Sequence, residues 1–429
     1  MKRRRLIGGG LAAAALIGGG AWLRPAVHSA PHDRYFGALQ ALLQRDGPGA
    51  ACLVLDLDRL NHNLIALRES MPAGKRYRLV SKSLPCPDLI AQVLATMGSR
   101  RIMCFHQPFA NRLARDFPDS DLLLGKPMPV QAAERFYQRL HPGRFDPQRQ
   151  LQWLVDGPAR LAAYAELARA QKLRMRISIE IDVGLHRGGV DKDSDFVAML
   201  RMLRDNSRHL RLSGLMGYDP HVVKLPRLLG TPEELQQEAN ALYQHYIRLL
   251  RRQAPDLLTL QQDLPMVFNG AGSPNFVLHD ERAPTNDLAI GSALVKPSDF
   301  DLPTLDAFRP ALWIATPVLK SAPGPELPGI EWAQWPARLW NPNLARSHFI
   351  DGGNWMADAH SPAGLTPNAL FGRSSNQEML NSAPAAGLSP GDWVFLRPRQ
   401  SEALMLQFGP LHVVQAGSLV DRWPVFVPA

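Results

Sequence analysis

The chain has 429 residues, of which 45% are hydrophobic and 20% are charged, an ordinary composition for a globular protein. The formal net charge is +9, but five basic residues lie within the first 24 positions and no basic block follows them. This distribution argues against nucleic acid as a partner. The three cysteines, Cys52, Cys86 and Cys104, show no CxxC spacing, which argues against a disulfide framework or a zinc knuckle.

The N-terminal segment "MKRRRLIGGGLAAAALIGGGAWLRPA" has a basic start, an apolar stretch from Leu6 to Leu23 and then polar sequence. This is the order of parts in an export signal. The arginines at positions 3 and 4 fit the twin-arginine pattern, whose receptor passes folded proteins. We therefore expect residues 1–30 to direct export to the periplasm. A membrane anchor is the alternative, because the 18 residues of the apolar stretch can just cross a bilayer.

After residue 50, short apolar runs alternate with stretches of helical periodicity. The predicted helices include residues 88–97, 158–171 and 232–252, and Thr231 is the expected N-cap of the last one. The apolar runs predict eight strands, at residues 77–82, 101–106, 121–126, 151–156, 174–182, 211–219, 266–272 and 288–295. Eight strands that alternate with helices predict an α/β protein with a (β/α)8 TIM barrel. The last two connections fit this pattern least well.

From about residue 298 onward, prolines cluster, helical periodicity fades and short strand-like runs appear between turn residues. These features predict a small β domain. The run "ACLVLDLD" at residues 51–58 precedes the barrel, and we expect it to pair with that domain. We therefore assign residues 58–297 to the barrel, and residues 31–57 together with 298–429 to the β domain.

Side chains at the C-terminal ends of the strands face the active site in barrels of this kind. The rule selects Lys82, His106, Lys126, Asp156, Glu180, Asp182, Tyr218, Asp219 and residues 269–273 as candidates. Lysine is rare in this chain, with nine lysines against 39 arginines, so finding Lys82, Lys126 and Lys296 all at strand ends is mildly informative. A solvated lysine without a role is the alternative for any single one of them.

Two glycine-rich segments add to this set. The segment "EIDVGLHRGGV" at residues 180–190 places Arg187 on a turn where the backbone can approach a ligand closely. The segment "NGAGSPNF" at residues 269–276 offers backbone N–H groups to a phosphate. An internal salt bridge and a plain tight turn are the structural alternatives. With Lys82 and Tyr218 these parts match what pyridoxal phosphate requires, namely an amine, a partner for the ring nitrogen and a phosphate cradle.

The motifs from about Ala51 to the C-terminus resemble, in their order, those of the alanine-racemase-like (fold type III) pyridoxal-phosphate enzymes. Within them the D-threonine aldolase and D-serine dehydratase group is most similar. The run "RLVSK" matches that group's Arg-Pro-His-x-Lys, which makes Lys82, rather than Lys126, the Schiff-base lysine. "EIDVGLHRGGV" is very similar to the group's Glu-x-Asp-x-Gly-x-x-Arg-x-Gly-Val, whose arginine, here Arg187, faces the pyridine nitrogen. The resemblance also implies a C-terminal β domain, which "LSPGDWVFLRP" matches.

The same resemblance implies further cofactor and substrate positions. The segment "GLMGYDPH" is similar to the group's Gly-Tyr-x-Gly-His, so Tyr218 is expected beside the cofactor, and His221 near the substrate as a catalytic residue. The segment "NGAGS" stands where the group has its phosphate loop, and "LAIGS" corresponds to a further loop. The cofactor-binding residues implied by these two loops are Gly270, Gly272, Ser273, Gly291 and Ser292.

The aldolase and the dehydratase use a metal ion to assist the leaving group, held by a histidine and a second ligand two residues on. The matching stretch "RPRQSEALM" offers Gln400 and Glu402, and "SSNQEM" has Gln377 where the group has a histidine. Glutamine is a poor ligand for zinc or manganese, so Glu402 is the remaining candidate metal ligand. The requirement for a divalent metal is left open by the sequence.

The leading interpretation is a pyridoxal-phosphate-dependent lyase that acts on a D-3-hydroxy amino acid by aldol cleavage or dehydration. A racemase or epimerase is the first alternative, and an arginine at the ring nitrogen favours it, but the matching C-terminal region offers no clear tyrosine. A non-catalytic exported binding protein is the second alternative, for which Gln400 and Gln377 are the best support. The expected partner is a small amino acid, and the resemblance makes a homodimer a further expectation.

Overall fold

The computed structural model describes residues 24–259, 264–326, 329 and 331–427. The α-helices, in chain order, are α1 Arg34–Asp46, α2 Leu57–Ser70, α3 Pro87–Met97, α4 Gln107–Asp116, α5 Val130–Gln138, α6 Pro147–Gln150, α7 Pro158–Ala170, α8 Asp193–Asp205, α9 Pro232–Gln253, α10 Pro255–Thr259, α11 Gln334–Trp340 and α12 Glu402–Met405.

The strands, in chain order, are β1 Cys52–Asp56, β2 Arg76–Val80, β3 Arg101–Cys104, β4 Asp121–Leu124, β5 Leu151–Val155, β6 Met175–Glu180, β7 Leu210–Met216, β8 Val267–Gly270, β9 Asp287–Ile290, β10 Leu312–Pro323, β11 Arg346–Ile350, β12 Ala357–Ser361, β13 Thr366–Pro367, β14 Met379–Ser382, β15 Trp393–Pro398, β16 Leu411–Gln415 and β17 Ser418–Trp423.

Strands β2 to β9 form a closed parallel barrel, and β9 pairs with β2 to complete the ring. Each of these strands lies within one of the eight predicted apolar runs or departs from it by one residue. Strands of a parallel barrel are covered on both faces, which explains why they consist of apolar runs rather than alternating patterns. The predicted TIM barrel is therefore confirmed.

The connections between the barrel strands explain why the end of the predicted barrel fits the alternating pattern least well. Helices α3, α7 and α9 lie where the sequence predicts them, and Thr231 forms a capping box with Glu234 at the start of α9. Strand β8 leads to β9 through the short 3-10 turn Phe276–Leu278 instead of an α-helix. The chain between these two strands is therefore free to form a loop at the barrel mouth.

A layer of buried charges lies at the opposite end of the barrel, where the strands begin. The Arg78 side chain is fully buried and donates from Nε to Asp287 Oδ1 at 2.6 Å. Its Nη1 lies 2.8 Å from Asp121, and Arg101 bonds to the other oxygen of Asp287. Buried charges are tolerated when they are paired and hydrogen-bonded. This layer therefore closes the barrel floor and leaves the C-terminal mouth for ligands.

The chain divides into two compact units, and one of them differs from the predicted barrel domain. The barrel unit consists of Leu55–Leu312, Arg399–Val413 and Asp421–Ala429. The sequence assignment had placed the last two segments in the β domain. They belong with the barrel because Glu402 pairs with Lys82, and because the Phe426 N–H donates to the Pro85 carbonyl at 2.8 Å.

The second unit contains the described residues up to Val54, with Trp313–Pro398 and Val414–Val420. The main sheet has the strand order β13-β14-β11-β10-β1-β16-β17, and β15 pairs with both β10 and β12. Strand β1 joins this sheet, as the run at residues 51–58 predicted. Helix α1 packs Phe36, Leu39 and Leu43 into a core that includes Trp313 and Phe395.

The predicted export signal falls largely on residues 1–23, which lie outside the described residues. Within the part of the chain that the structure describes, no helix is both long and apolar enough to span a membrane.

Strand β11 carries a buried histidine that makes stability depend on pH. Burial, and then the nearby Arg346, lower the pKa of His348 from 6.5 to about 4. Between these values the unfolded chain binds a proton that the folded chain does not, so stability is full above about pH 6.5 and falls as the pH drops toward about 4. We expect His348→Gln to reduce the loss of melting temperature between about pH 7.5 and about pH 5.

Thermal unfolding of both proteins at the two pH values measures this effect. The variant also loses hydrogen bonds to Ser321 and Ser382, so the comparison concerns the change with pH rather than the absolute melting temperature. Equal losses in the two proteins would show that His348 does not contribute to the pH dependence.

Candidate functional site

Lys82 lies at the mouth of the barrel, in the 3-10 turn Ser81–Ser83 that follows β2. Its Nζ is 3.0 Å from a carboxylate oxygen of Glu402 and 4.8 Å from the centre of the Phe105 ring. The lysine side chain is 40% exposed and faces an open cavity of about 680 Å³. The strand-end lysine is therefore paired and also accessible to a ligand.

Arg187 enters the same cavity from a turn that Asp182 holds in place. The Asp182 carboxylate accepts the N–H groups of Gly184 at 2.9 Å and His186 at 3.0 Å, and it also bonds to the His186 ring. Although burial opposes ionisation, these donors hold the pKa of Asp182 below its ordinary value. Asp182 therefore has the structural role that the sequence left open as an alternative, while Arg187 is free to reach the cavity.

Tyr218 forms another wall of the cavity and contacts this arginine. The guanidinium carbon of Arg187 lies 4.9 Å from the centre of the Tyr218 ring, within cation–π range. Burial raises the pKa of Tyr218, and the positive charge of Arg187 partly opposes that rise. The phenol is therefore neutral at physiological pH and can act as a hydrogen-bond donor.

The two glycine-containing loops meet at Ser273, which lines the cavity. The Ser273 hydroxyl accepts N–H groups from Gly291 at 3.2 Å and Ala293 at 3.0 Å, and so joins the loop after β8 to the loop after β9. A Cβ on Gly291 would lie 2.9 Å from the Val80 carbonyl oxygen, so glycine is needed for this approach. The Ser292 hydroxyl in turn donates to Ser83 at 3.0 Å.

These loops have the properties of a phosphate cradle. Within the described part of the chain, the backbone N–H groups of Ala271, Ser273 and Ser292 donate to no protein acceptor. Ala271 has φ +65°, a conformation that L residues rarely adopt and that is common at functional sites. Unpartnered N–H groups near a cavity are what an anion requires. The residues that are present therefore fit a phosphorylated cofactor whose aldehyde would join Lys82.

A buried polar network lies behind the phosphate loop. The Asp219 carboxylate is 3% exposed and accepts hydrogen bonds from Gln236 at 2.7 Å and Asn275 at 2.9 Å, and His279 Nε2 lies 3.0 Å away. The Asn275 side chain also accepts the Gly272 N–H at 3.0 Å. These contacts hold the pKa of Asp219 low against the effect of burial. The network therefore fixes the loop through Gly272.

The remaining residues from the strand-end rule fall outside this arrangement or support it indirectly. Burial, and then the charge of Asp156, raise the pKa of Glu180, which lies beside Arg187 rather than in the main cavity. Lys126 is exposed, and it is not among the described residues that line the cavity. Lys296 has a structural role, because its Nζ donates to two backbone carbonyls.

His221, the predicted second catalytic residue, packs against the glycine turn. Its Nε2 would lie 3.3 Å from a Cβ placed on Gly184. His221 is not among the described residues that line the Lys82 cavity. Its buried Nδ1 has no hydrogen-bond partner within the described part of the chain. Burial lowers its pKa, so the ring is neutral near pH 7. The structure therefore brings Lys82, Arg187, Tyr218 and the glycine loops together, without His221.

The candidate metal ligands do not form a ligand set for a divalent cation. The Glu402 carboxylate pairs with Lys82, and the Gln400 amide donates to Asp299 at 3.3 Å. Gln377 forms a β-bridge with Gly352. Over the residues that the structure describes, no group of three or more His, Cys, Asp or Glu side chains could hold a metal ion. The site therefore offers an acid–base pair where the sequence suggested a weak metal ligand.

Sequence reasoning missed three functional contacts. Phe105 follows β3 and forms part of the cavity wall, but the strand-end rule selected its neighbour His106 instead. Ser83 directly follows Lys82 and was not among the sequence candidates, yet its hydroxyl links the lysine turn to Ser292. The pairing of Glu402 with Lys82 leaves no local pattern, because 320 positions separate the two residues.

Comparisons with known proteins show the same fold in several solved structures. Solved structures with the same fold include D-threo-3-hydroxyaspartate dehydratase from Delftia sp. HT23, with a TM-score of 0.67 and 19% identity over 90% of this chain and 100% of that one. D-threonine aldolase from Filomicrobium marinum has a TM-score of 0.68 and 18% identity, and covers 88% of this chain and 96% of its own. Alanine racemase from Bacillus anthracis has a TM-score of 0.64 and 13% identity, over 87% and 97% of the two chains.

No curated protein sequence shows significant similarity to the chain. The model of the alanine racemase N-terminal domain family matches residues 55–299, which contain the whole barrel and the predicted cofactor lysine. The chain therefore belongs to the alanine-racemase-like family, whose members bind pyridoxal phosphate.

Proposed function

We propose that the protein is a pyridoxal-phosphate-dependent lyase that acts on a D-3-hydroxy amino acid. The observation that carries the proposal is the position of Lys82, at the end of a barrel strand, facing a cavity that Arg187, Tyr218 and the glycine loops also line. The similarity in fold to D-threonine aldolase and D-threo-3-hydroxyaspartate dehydratase supports the choice of substrate class.

Each residue has a definite part in holding the cofactor. Lys82 would attach it covalently, and Arg187 would face its ring nitrogen beside Tyr218. The phosphate would take the free N–H groups of Ala271, Ser273 and Ser292, in the loops that also contain Gly272 and Gly291. Gly270 ends β8 just before the first loop and does not line the cavity. When bound, pyridoxal phosphate supplies a conjugated ring that withdraws electrons from the Cα of an attached amino acid.

Glu402 gives the site its proton chemistry. A carboxylate 3.0 Å from Lys82 Nζ can accept the ammonium proton and leave the neutral amine that attack on an aldehyde requires. The same carboxyl group can then exchange a proton with a hydroxyl on the substrate. In dehydration the proton taken from Lys82 would pass to the departing hydroxyl group, so that it leaves as water. In aldol cleavage the carboxyl group would first give that proton to solvent and then accept the hydroxyl proton as a carboxylate. We assign no step to a metal ion, because Gln400 and Glu402 do not fit one.

Racemisation is the second candidate function, and the position of Arg187 favours it. A cation facing the ring nitrogen keeps that nitrogen unprotonated and weakens the electron sink, which suits proton exchange at Cα more than cleavage of other bonds.

Metabolism of D-amino acids outside the cytoplasm is compatible with both candidate functions. We propose that the N-terminal signal carries the protein to the periplasm, and detection of the protein in fractionated cells would test this.

A substrate screen on the cofactor-loaded protein tests the proposed function. D- and L-amino acids with and without a 3-hydroxyl group are added, and aldehyde, keto acid, ammonia and solvent deuterium at Cα are measured. We expect aldehyde or keto acid from D-3-hydroxy amino acids, with equal rates in the presence and absence of a chelator. Deuterium incorporation without either product would instead support racemisation. A protein that takes up no cofactor would contradict both.

A further inference from the structure

A second cavity adjoins the cofactor cavity on the far side of the Lys82–Glu402 pair. The space opens to solvent and measures about 620 Å³ with its open part, and the two cavities share Lys82, Phe105 and Glu402 in their walls. The amine and the carboxylate therefore stand at the border between two spaces. The first cavity contains the phosphate loops. The second cavity has no part in the proposed cofactor chemistry.

The walls of the second cavity are apolar and well supported. Besides the shared residues, they include Pro85, Phe109 and Leu406. The Phe109 ring packs edge-on against His106 at 4.8 Å and in a tilted arrangement against Phe426 at 4.7 Å. The Phe426 N–H is bonded to the carbonyl of Pro85, so the C-terminal segment braces this wall.

The charged groups in the wall of the second cavity also limit which occupants it accepts. His106 stands at its edge, and burial, and then the charge of Lys126, lower the pKa of its ring so that it is neutral at pH 7. The charged groups among the residues that line it are Lys82 and Glu402, which pair with each other at 3.0 Å and so offer no free cation to an acidic group. An apolar wall beside a carboxylate favours an uncharged, apolar occupant over an acidic one.

We propose that this second cavity receives the side chain of the amino-acid substrate and selects aromatic or large apolar side chains. The inference rests on the proposed function, since an amino acid attached beside Lys82 has its Cα at the border of the two spaces. The amino nitrogen, joined to the aldehyde carbon of the cofactor, would lie toward the cofactor cavity, and the substituent on Cβ would extend past Glu402 toward Phe105, Phe109 and Leu406. A small side chain would make no contact with these apolar walls.

Spectral titration of the cofactor-loaded protein tests the proposal without measuring turnover. D-alanine, D-phenylalanine and D-aspartate differ only in the substituent on Cβ and lack the 3-hydroxyl group that a lyase would act on. We expect D-phenylalanine to reach half-saturation at a concentration at least about tenfold lower than D-alanine, because burial of a ring of this size is worth that much or more. We expect D-aspartate to bind more weakly than D-alanine.

The variant Leu406→Trp fills the second cavity and provides the matched test. We expect it to bring the affinity ratio of D-phenylalanine to D-alanine close to one. Leu228→Trp is the control, since Leu228 is 95% exposed, and it should keep the wild-type ratio. Thermal unfolding and the cofactor absorbance show whether each variant is folded and loaded.

The outcomes separate this inference from the proposed function. If D-alanine changes the spectrum and D-phenylalanine binds no more tightly in the wild-type protein, the side-chain cavity is wrong and the function stands. An unchanged ratio in a folded Leu406→Trp variant would also overturn it. If none of these amino acids, and no 3-hydroxy amino acid, alters the spectrum, the proposed function itself fails.

Discussion

Replacement of Lys82 by alanine is expected to abolish the yellow colour of the cofactor-loaded protein and to lower turnover at least about a thousandfold. The amine is the group that attaches the cofactor, and its proton exchange with Glu402 has no substitute at the same position. Absorbance of the purified variant and the rate of product formation from a D-3-hydroxy amino acid measure the two effects.

Lys126→Ala is the control for this experiment. Lys126 also follows a barrel strand, but its side chain is exposed and is not among the described residues that line the cavity. We expect the control to keep both the colour and the turnover. Loss of both in the control, with retention in Lys82→Ala, would move the attachment site to the end of β4, two strands along the barrel.

Asp219→Ala is expected to produce the largest loss of stability, about 3–5 kcal/mol, together with weaker cofactor binding. The substitution removes the acceptor shared by Gln236, Asn275 and His279, all of which are buried. A buried polar group left without a partner costs about 1–3 kcal/mol. Release of Asn275 should also loosen the loop at Gly272. Denaturant unfolding and titration with pyridoxal phosphate measure the two losses.

Asp219→Asn separates the shape of the side chain from its charge. The amide oxygen can still accept one of the hydrogen bonds, so we expect a smaller loss of stability than in the alanine variant. A free energy of unfolding in Asp219→Ala within about 1 kcal/mol of the wild-type value would show that the network is not needed to hold the loop.

Most of the barrel was predictable because each strand is a short run buried on both faces. The apolar runs located all eight strands, and the strand at residues 51–58 was correctly separated from them. The placement of Arg399–Val413 with the barrel was not predictable. It depends on the pairing of Glu402 with Lys82, a contact between distant parts of the chain that no local pattern records.

The candidate site likewise has one part that the sequence predicts and another that it does not. Lys82, Arg187 and Tyr218 follow barrel strands directly, so the topology alone brings them to one mouth, and the structure places all three around the cavity. His221 lies three residues beyond Tyr218, past the strand end, where the path of the loop decides its position. The Asp219 network could not be read from the sequence either, because it depends on side-chain directions in α9 and in the turn that contains Asn275.

Borohydride reduction of the cofactor-loaded protein, followed by peptide mass analysis, tests the central claim most directly. Reduction makes the link between the cofactor and its lysine permanent, and the chain has nine lysines that can be distinguished by position. We predict that the peptide containing Lys82 gains the mass of the reduced cofactor in stoichiometric amount. Added mass on another lysine, or on none of the nine, would contradict the assignment of this site.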